Sequence, residues 1–497
     1  MKGVRNVKVL FVMPYNCDLI HAVSLPLGLI SIGTYLKENG YDVKICDLSV
    51  SHVNIERVFD EFKPDIVGIS LASVKHIDGA VDVTKKLHKK GVPIVWGGTF
   101  CDVCDPQIVF DGSDVDYLSF CEGEATWLEI MQTLENGNDF RKIKGIAYRD
   151  ENGKAVMTPD REYIDLTQLP ILDYSLVDVE KYFQYLYGCE KLVYVYLSKG
   201  CPSKCTFCVN QITHRCTYRR RALEHFMKET ELLVREYGVD GLYFCDELCF
   251  KNKEQLYEVC DAFEKSGLEF FWGFQTRIGI LGEEEFRRCY ECGCRWVDFG
   301  IESGSKEQLA IMKKGIPYDK IEPTFEICDK LGIISLANFI IGLPGETEDQ
   351  IRETINLANR IKATQCSFLQ YCISPKTQMS KKAIADGLVK NPVRKLKDYK
   401  KIDFFISKTD NLSKIRQKEL NVIQSYYLWN AVFRKDYGKD AKSYDLLIKH
   451  ITTLLRRLSF LSFTNGVKCL FEFIYLSLRF FTDTHFHPGI IKKYNLK

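Results

Sequence analysis

The sequence predicts an α/β protein: a doubly wound parallel sheet over 1–150, a connector over 151–191, a partial (β/α)6 barrel over 192–375 and a mainly helical region over 376–497. Two alternating series of strand-length apolar runs and helix-length amphipathic stretches carry this reading, one from residue 7 to about 120 and one from 193 to about 371. The stretch between them is charged, turn-rich and poorly periodic, with Pro159 and Pro170. A chain of 497 residues is also long for a single core.

In the first series the spacing predicts strands at 7–15, 42–48, 66–71, 93–96 and 116–120, alternating with helices at 26–39, 55–62 and 80–90. Ligands of such sheets lie outside the carboxyl ends of the strands. The second series predicts strands at 193–198, 241–245, 270–277, 296–301, 334–341 and 364–371, each followed by a helical pattern. A partial barrel of that kind puts the loops after its strands on one face, where several side chains can converge.

Past residue 375 the pattern is mostly helical. The apolar run over 454–481 is interrupted by Arg456, Arg457, Lys468, Glu472 and Arg479, leaving no charge-free stretch of about 20 residues and hence no expected transmembrane span. Buried helices closing the barrel are the favoured reading; a hydrophobic substrate or docking at a membrane surface is the competing one.

An apolar content of 46%, a charged content of 27% and a net charge of +2 describe a globular chain with no bulk attraction to nucleic acid. Twenty cysteines in so long a chain, opening on Met1 and Lys2 without a signal-peptide pattern, are read as metal-bound and free thiols of a reduced cytoplasm.

The strongest chemical signal is Cys201, Cys205 and Cys208, spaced CxxxCxxC just after the first strand of the second series. Three thiolates can hold three irons of a 4Fe-4S cluster and leave the fourth open to a small molecule. A zinc knuckle is the alternative, with His214 or Cys216 as the fourth ligand. Acidic and basic residues recur at the predicted strand ends: Asp246 and Glu247 after the second, Arg277 after the third, Glu302 to Ser305 after the fourth. Arg219 and Arg221 follow the cysteine loop, and Gly342, Gly345 and Glu346 follow the fifth strand.

On these residues, with Phe207 inside the cysteine motif, 192–372 resembles a radical S-adenosylmethionine (SAM) core. The chain as a whole resembles the subgroup with an N-terminal, Rossmann-like cobalamin-binding-type domain. The resemblance of the first domain lies in Leu25–Gly28, Pro64–Ser70, Trp96 with Gly97 and Gly98, and Glu122–Glu124. It implies reductive cleavage of cluster-bound SAM to a 5′-deoxyadenosyl radical. Asp246 and Glu247 would meet the SAM ammonium, Arg277 its carboxylate, and Glu302 and Ser305 the ribose side. Arg219 and Arg221 would meet SAM or other anionic groups, and Gly97 and Gly98 would line the cobalamin crevice. A small-molecule or lipid-like substrate and an external one-electron donor such as flavodoxin or ferredoxin are the implied partners. Methylation of an unactivated carbon is the expected reaction, with radical cyclisation, rearrangement or carbon–carbon coupling as the alternative.

The axial-histidine pattern DxHxxG is absent, Asp18 and His21 being wrongly spaced, and Thr99 follows the two glycines. The expectation is a cobalamin lower face without a protein imidazole. Cys17, Cys101, Cys104 and Cys121 fall in the loops around the same crevice, so a second iron–sulfur cluster in place of cobalamin is the competing expectation. Cys289, Cys292 and Cys294 are read as packing.

Overall fold

A computed structural model describes residues 7–15, 24–51, 53–402, 410–433, 436–437, 441–442, 478–479, 481–483 and 487–496. Cys17, Asp18, His21 and most of the apolar run over 454–481 lie outside the described residues.

The first sheet grows from β1 (Lys8–Met13), four of whose six residues are buried. A strand apolar on both faces needs neighbours on both edges and helices above and below. It has them: β2 (Asp42–Asp47) and β3 (Ile66–Ser70) flank it in parallel register, followed by β4 (Ile94–Gly97) and β5 (Tyr117–Ser119). Two antiparallel strands, β6 (Ile146–Arg149) and β7 (Ala155–Met157), complete the order β2-β1-β3-β4-β5-β6-β7 and carry the sheet past residue 150. The order reverses between β1 and β3, which opens a crevice at their carboxyl ends.

The second sheet starts inside the connector, where β8 (Gln184–Leu186) pairs antiparallel with β9 (Cys189–Val195). A short pair, β10 (Ser198–Lys199) and β11 (Arg219–Arg220), brackets the cysteine loop. Five further strands run parallel to β9: β12 (Gly241–Phe244), β13 (Phe271–Thr276), β14 (Cys294–Glu302), β15 (Ile334–Ile341) and β16 (Gln365–Gln370). Their order β16-β15-β14-β13-β12-β9-β8 is the curled half-barrel expected from six βα-like units. Phe244, Phe250, Trp272 and Phe274 interlock on one side of it with edge-to-face and stacked rings, Phe250 and Phe274 lying 5.0 Å apart.

The sheets are not independent bodies. Leu25, Ile30 and Val50 of the first share one apolar core with Val193, Val195 and Leu197 of the second. The Tyr182 hydroxyl in the connector donates to Asp47 at 3.0 Å. Leu396, Tyr399 and Ile402, beyond the barrel, return to the core of the first domain, where Tyr399 meets Phe100 edge-on and accepts from the Asp105 backbone N–H at 2.7 Å. The helix Gln417–Phe433 closes the β16 edge, with Gln424 accepting from Gln370 at 2.9 Å. No described helix is long and apolar enough to cross a membrane.

Gly273 in β13 is the tightest point of the barrel wall: a Cβ there would lie 2.1 Å from the Trp296 ring, which is wholly buried. Gly273→Ala is expected to destabilise by about 1–3 kcal/mol through overpacking. A lowered thermal unfolding midpoint of the apoprotein is the readout, and an unchanged midpoint contradicts the packing account.

Candidate active site

The cysteine loop is held by its own backbone. Gly200, at φ +84°, turns the chain where a Cβ would meet the Thr217 carbonyl at 2.3 Å, so only glycine fits. The Asn210 carboxamide clamps Cys201 from both sides, donating to its carbonyl at 2.7 Å and accepting from its N–H at 3.2 Å. Cys208 N–H donates to the Cys205 carbonyl at 3.1 Å, while Thr206 is pinned by Met312 and Met379, each at 2.9 Å. With the backbone satisfied in this way, the thiols of Cys201, Cys205 and half-buried Cys208 remain for a ligand.

Burial pushes the Cys208 thiol up to about 11, so its thiolate would need a cation beside it, which the iron of a cluster would supply. Among the described residues no three His, Cys, Asp or Glu side chains converge as one metal ion requires. A cube meets each thiolate at a different corner and has no such requirement. Of the two alternative fourth zinc ligands, His214 Nε2 faces Glu247 at 3.2 Å, while Cys216 lies close enough to Cys201 and Cys205 to feel their charge but forms no metal-holding group with them. The donor set therefore fits an open-cornered cluster better than zinc.

The rim residues separate into two groups. Arg277 follows β13 with Nη1 3.6 Å from Cys205 Sγ and its other terminus on the Lys314 carbonyl. Glu302 ends β14 at a register shift, in a left-handed conformation (φ +70°), and binds Lys314 at 2.6 Å. Glu247 accepts from Gly200 N–H at 2.9 Å beside the cysteine loop and is exposed to the cavity described below.

Asp246, Arg221 and Ser305 lie deeper. Asp246 is buried and spent on local structure, accepting from Leu197 N–H at 3.1 Å and Ser198 Oγ at 2.6 Å; burial lifts it to about 7. Arg221 is sealed in an ion pair with Glu229 and donates to the Tyr196 carbonyl at 3.2 Å. Ser305 is buried, its N–H on Ser303 Oγ at 3.1 Å.

A cavity of about 390 Å³, the size of a small-ligand pocket, lies where the carboxyl ends of β3, β4 and β5 meet the barrel mouth. Its sheet-side wall is backbone-rich. A Cβ on Gly28 would meet nothing within 4 Å, and one on Gly97 only Ser119 at 3.8 Å, so both glycines leave room for a flat ligand. Gly98, at φ +95°, packs its backbone against Leu71. The barrel-side wall is polar, with Lys199, His214 and Glu247. Among the described lining residues His214 is the one imidazole, and it stands opposite the glycine wall. A backbone floor of this kind can take one face of a corrin ring.

The two walls are tied together. Arg219 Nη1 donates to Glu122 at 2.8 Å and stacks over Tyr163, 4.3 Å from the ring centre. Lys199 Nζ donates at 3.0 Å to Glu124, which also accepts from Ser31 at 2.6 Å. Burial alone would raise the Glu124 pKa, but Lys199 and Ser31 hold it below the ordinary carboxylate value. Lys199, His214, Tyr163 and Lys314 were not assigned cofactor roles from the sequence. The one signal for Lys199 is its position two residues before Cys201.

The second-cluster expectation is corrected here. Cys101 and Cys104 are wholly buried in the apolar core of the first domain, Cys104 bonded to the Cys101 carbonyl at 3.3 Å, and burial pushes both thiols up. Of the described three, Cys121 alone lines the cavity. Cysteines close along the chain thus point into packing rather than toward a shared cluster.

Residues 195–358 match the Radical SAM superfamily and residues 20–130 the B12 binding domain. A protein of Pyrococcus horikoshii named as an uncharacterized methyltransferase is 28% identical over 455 residues, covering 87% of this chain and 95% of that one. The anaerobic magnesium-protoporphyrin IX monomethyl ester cyclase of Rubrivivax gelatinosus is 26% identical over 359 residues, covering 70% of this chain and 64% of its own. The fold is that of the cobalamin-dependent SAM radical enzyme OxsB with aqua-cobalamin bound, at TM-score 0.72 and 16% identity, covering 99% of this chain and 84% of that one. The chain belongs to the radical SAM enzymes that carry an N-terminal B12-binding domain. Its cofactors are a 4Fe-4S cluster, SAM and cobalamin.

Lys199→Met leaves the Glu124 carboxylate buried and unpaired, and unfolding is expected to be easier by about 3–5 kcal/mol. Combining it with Glu124→Gln should recover most of that loss; a double variant as unstable as the single one refutes the pairing. Glu346, buried beneath the Gly342–Leu343 turn, is lifted by burial from 4.5 to about 8. The folded state then holds a proton that the unfolded chain releases, so the contribution is greatest below 4.5 and fades as pH rises toward about 8. Glu346→Gln is expected to flatten that decline in thermal unfolding midpoints; identical pH profiles would contradict the assignment.

Proposed function

We propose that this enzyme methylates an unactivated carbon of a small-molecule or lipid-like substrate. The observation that carries the reading is the shared cavity: Gly97 and Gly98 form part of one wall, while His214 and Glu247, next to the cysteine loop, form part of the other. The methyltransferase name of the P. horikoshii relative, which aligns nearly end to end, supports the same reaction type. When bound, the cluster and SAM supply a hydrogen-abstracting 5′-deoxyadenosyl radical, and cobalamin supplies the methyl group.

In this reading Cys201, Cys205 and Cys208 hold three irons. Glu247 is the carboxylate for the SAM ammonium, because Asp246 is already committed to the β9–β10 corner. Arg277, beside Cys205, offers a guanidinium to the SAM carboxylate. Glu302, oriented by Lys314, would meet the ribose, and Ser305 supports the turn that follows. Arg219 secures the cavity wall through Glu122, and Arg221 braces the barrel from within. Electrons arrive from an external donor such as flavodoxin or ferredoxin. A reducing, cytoplasmic setting suits the reduced thiols that such a cluster needs.

The cyclase relative favours a second reading, radical ring closure without methyl transfer. Anaerobic reconstitution with SAM carrying a labelled methyl group, a strong reductant and cobalamin separates the two. The expected result is one corrin and one cubane's iron per chain, with both S-adenosylhomocysteine and 5′-deoxyadenosine formed. Formation of 5′-deoxyadenosine alone rejects methyl transfer.

A further inference from the structure

Away from the active site, four cysteines from three elements meet behind the barrel wall. Cys260 lies on the helix Lys253–Ser266, Cys289 on the helix Glu283–Glu291, Cys292 at the end of that helix, and Cys294 opens β14. Cys260, Cys289 and Cys294 are wholly buried, whereas Cys292 is half-exposed. Cys292 Sγ is 2.9 Å from Cys260 Sγ and also reaches the Cys289 carbonyl at 3.3 Å. No three of these thiols converge as a metal site requires. Contact between one accessible and one buried thiol is the arrangement of a disulfide-forming pair.

We propose that Cys260 and Cys292 form a reversible disulfide, a modification site in which Cys292 meets the oxidant and Cys260 resolves it. Thiol hydrogen bonds from Cys289 and Cys292 draw the Cys260 thiol down, and the same sharing pushes the Cys292 thiol up, so the pair's proton rests on Cys292. The oxidant class is a low-molecular-weight disulfide. Cys292 gives that proton to solvent, and the Cys292 thiolate attacks the reagent. A Cys292 mixed disulfide forms, and the first reagent thiolate leaves and takes a proton from solvent. The Cys260 thiolate then attacks Cys292 Sγ, the bond to the reagent breaks, and the second reagent thiolate leaves. Two protein sulfurs are oxidised and one reagent disulfide is reduced to two thiol equivalents.

The cross-link would join the two outer helices and close a loop that contains β13 and Arg277. Oxidation would thus constrain the segment that carries a rim residue without touching Cys201, Cys205 or Cys208. This inference does not depend on methyl transfer.

The test uses the full-length, anaerobically reconstituted enzyme treated with oxidised glutathione, quenched by alkylation under denaturing conditions and mapped by peptide mass spectrometry. A Cys260–Cys292 peptide pair, lighter by two hydrogens than its reduced form and lost on adding dithiothreitol, is expected. In Cys260→Ser, Cys292 should remain as the glutathione adduct; in Cys292→Ser, Cys260 should be recovered as a free thiol. Recovery of both wild-type thiols in alkylated form overturns the proposal, as does a Cys289–Cys292 bond or a glutathione adduct on Cys260. The wild-type map decides the matter even where a variant folds poorly.

Discussion

The ion-paired seam between Glu122 and Glu124 on one sheet and Arg219 and Lys199 on the other is the constraint on which the site depends. Glu122 lies in the loop after β5 and Glu124 opens the helix Glu124–Asn136 that follows it, while both cations flank the cysteine loop in the β10–β11 pair. Each charge is at least four-fifths shielded from solvent, so each would be costly to leave alone. The seam therefore fixes distance and orientation between the glycine wall and the cysteine loop, the relation a reaction shared by two cofactors needs most.

That geometry also sorts the charged residues by role. Arg219 and Arg221 are two positions apart, yet one spans the domain boundary and the other is locked to Glu229 inside the barrel. Asp246 and Glu247 are adjacent, yet the first holds a backbone corner and the second opens on the cavity. In each pair one residue braces the barrel from within and the other lies at the boundary between the two sheets.

Much of this was legible in the sequence. Strand-length apolar runs located both parallel sheets, because a strand buried on two faces has few alternatives to branched and aromatic residues. The CxxxCxxC spacing marked the cysteine loop at the barrel mouth because the motif is local. The division of labour within Arg219/Arg221 and Asp246/Glu247 was not legible, since it depends on which partner the fold brings up: Glu122 and Ser198 are far away in sequence, and Glu229, although near, reaches Arg221 only once its helix has packed. Cys101 and Cys104 misled for a related reason: loop position suggested exposure, but the short helix Thr99–Val103 turns them into the core. The 146–157 strand pair was obscured by its charged, turn-rich surroundings.

Tyr399 and its neighbours Leu396 and Ile402 complete the core of a domain whose own strands ended some 240 residues earlier. During synthesis the first sheet must wait, with Phe100 and Phe110 incompletely covered, until the whole barrel has left the ribosome. The two halves are then a single folding unit tied end to beginning, and the amino-terminal domain cut out on its own would carry an unfilled apolar gap and a tendency to aggregate.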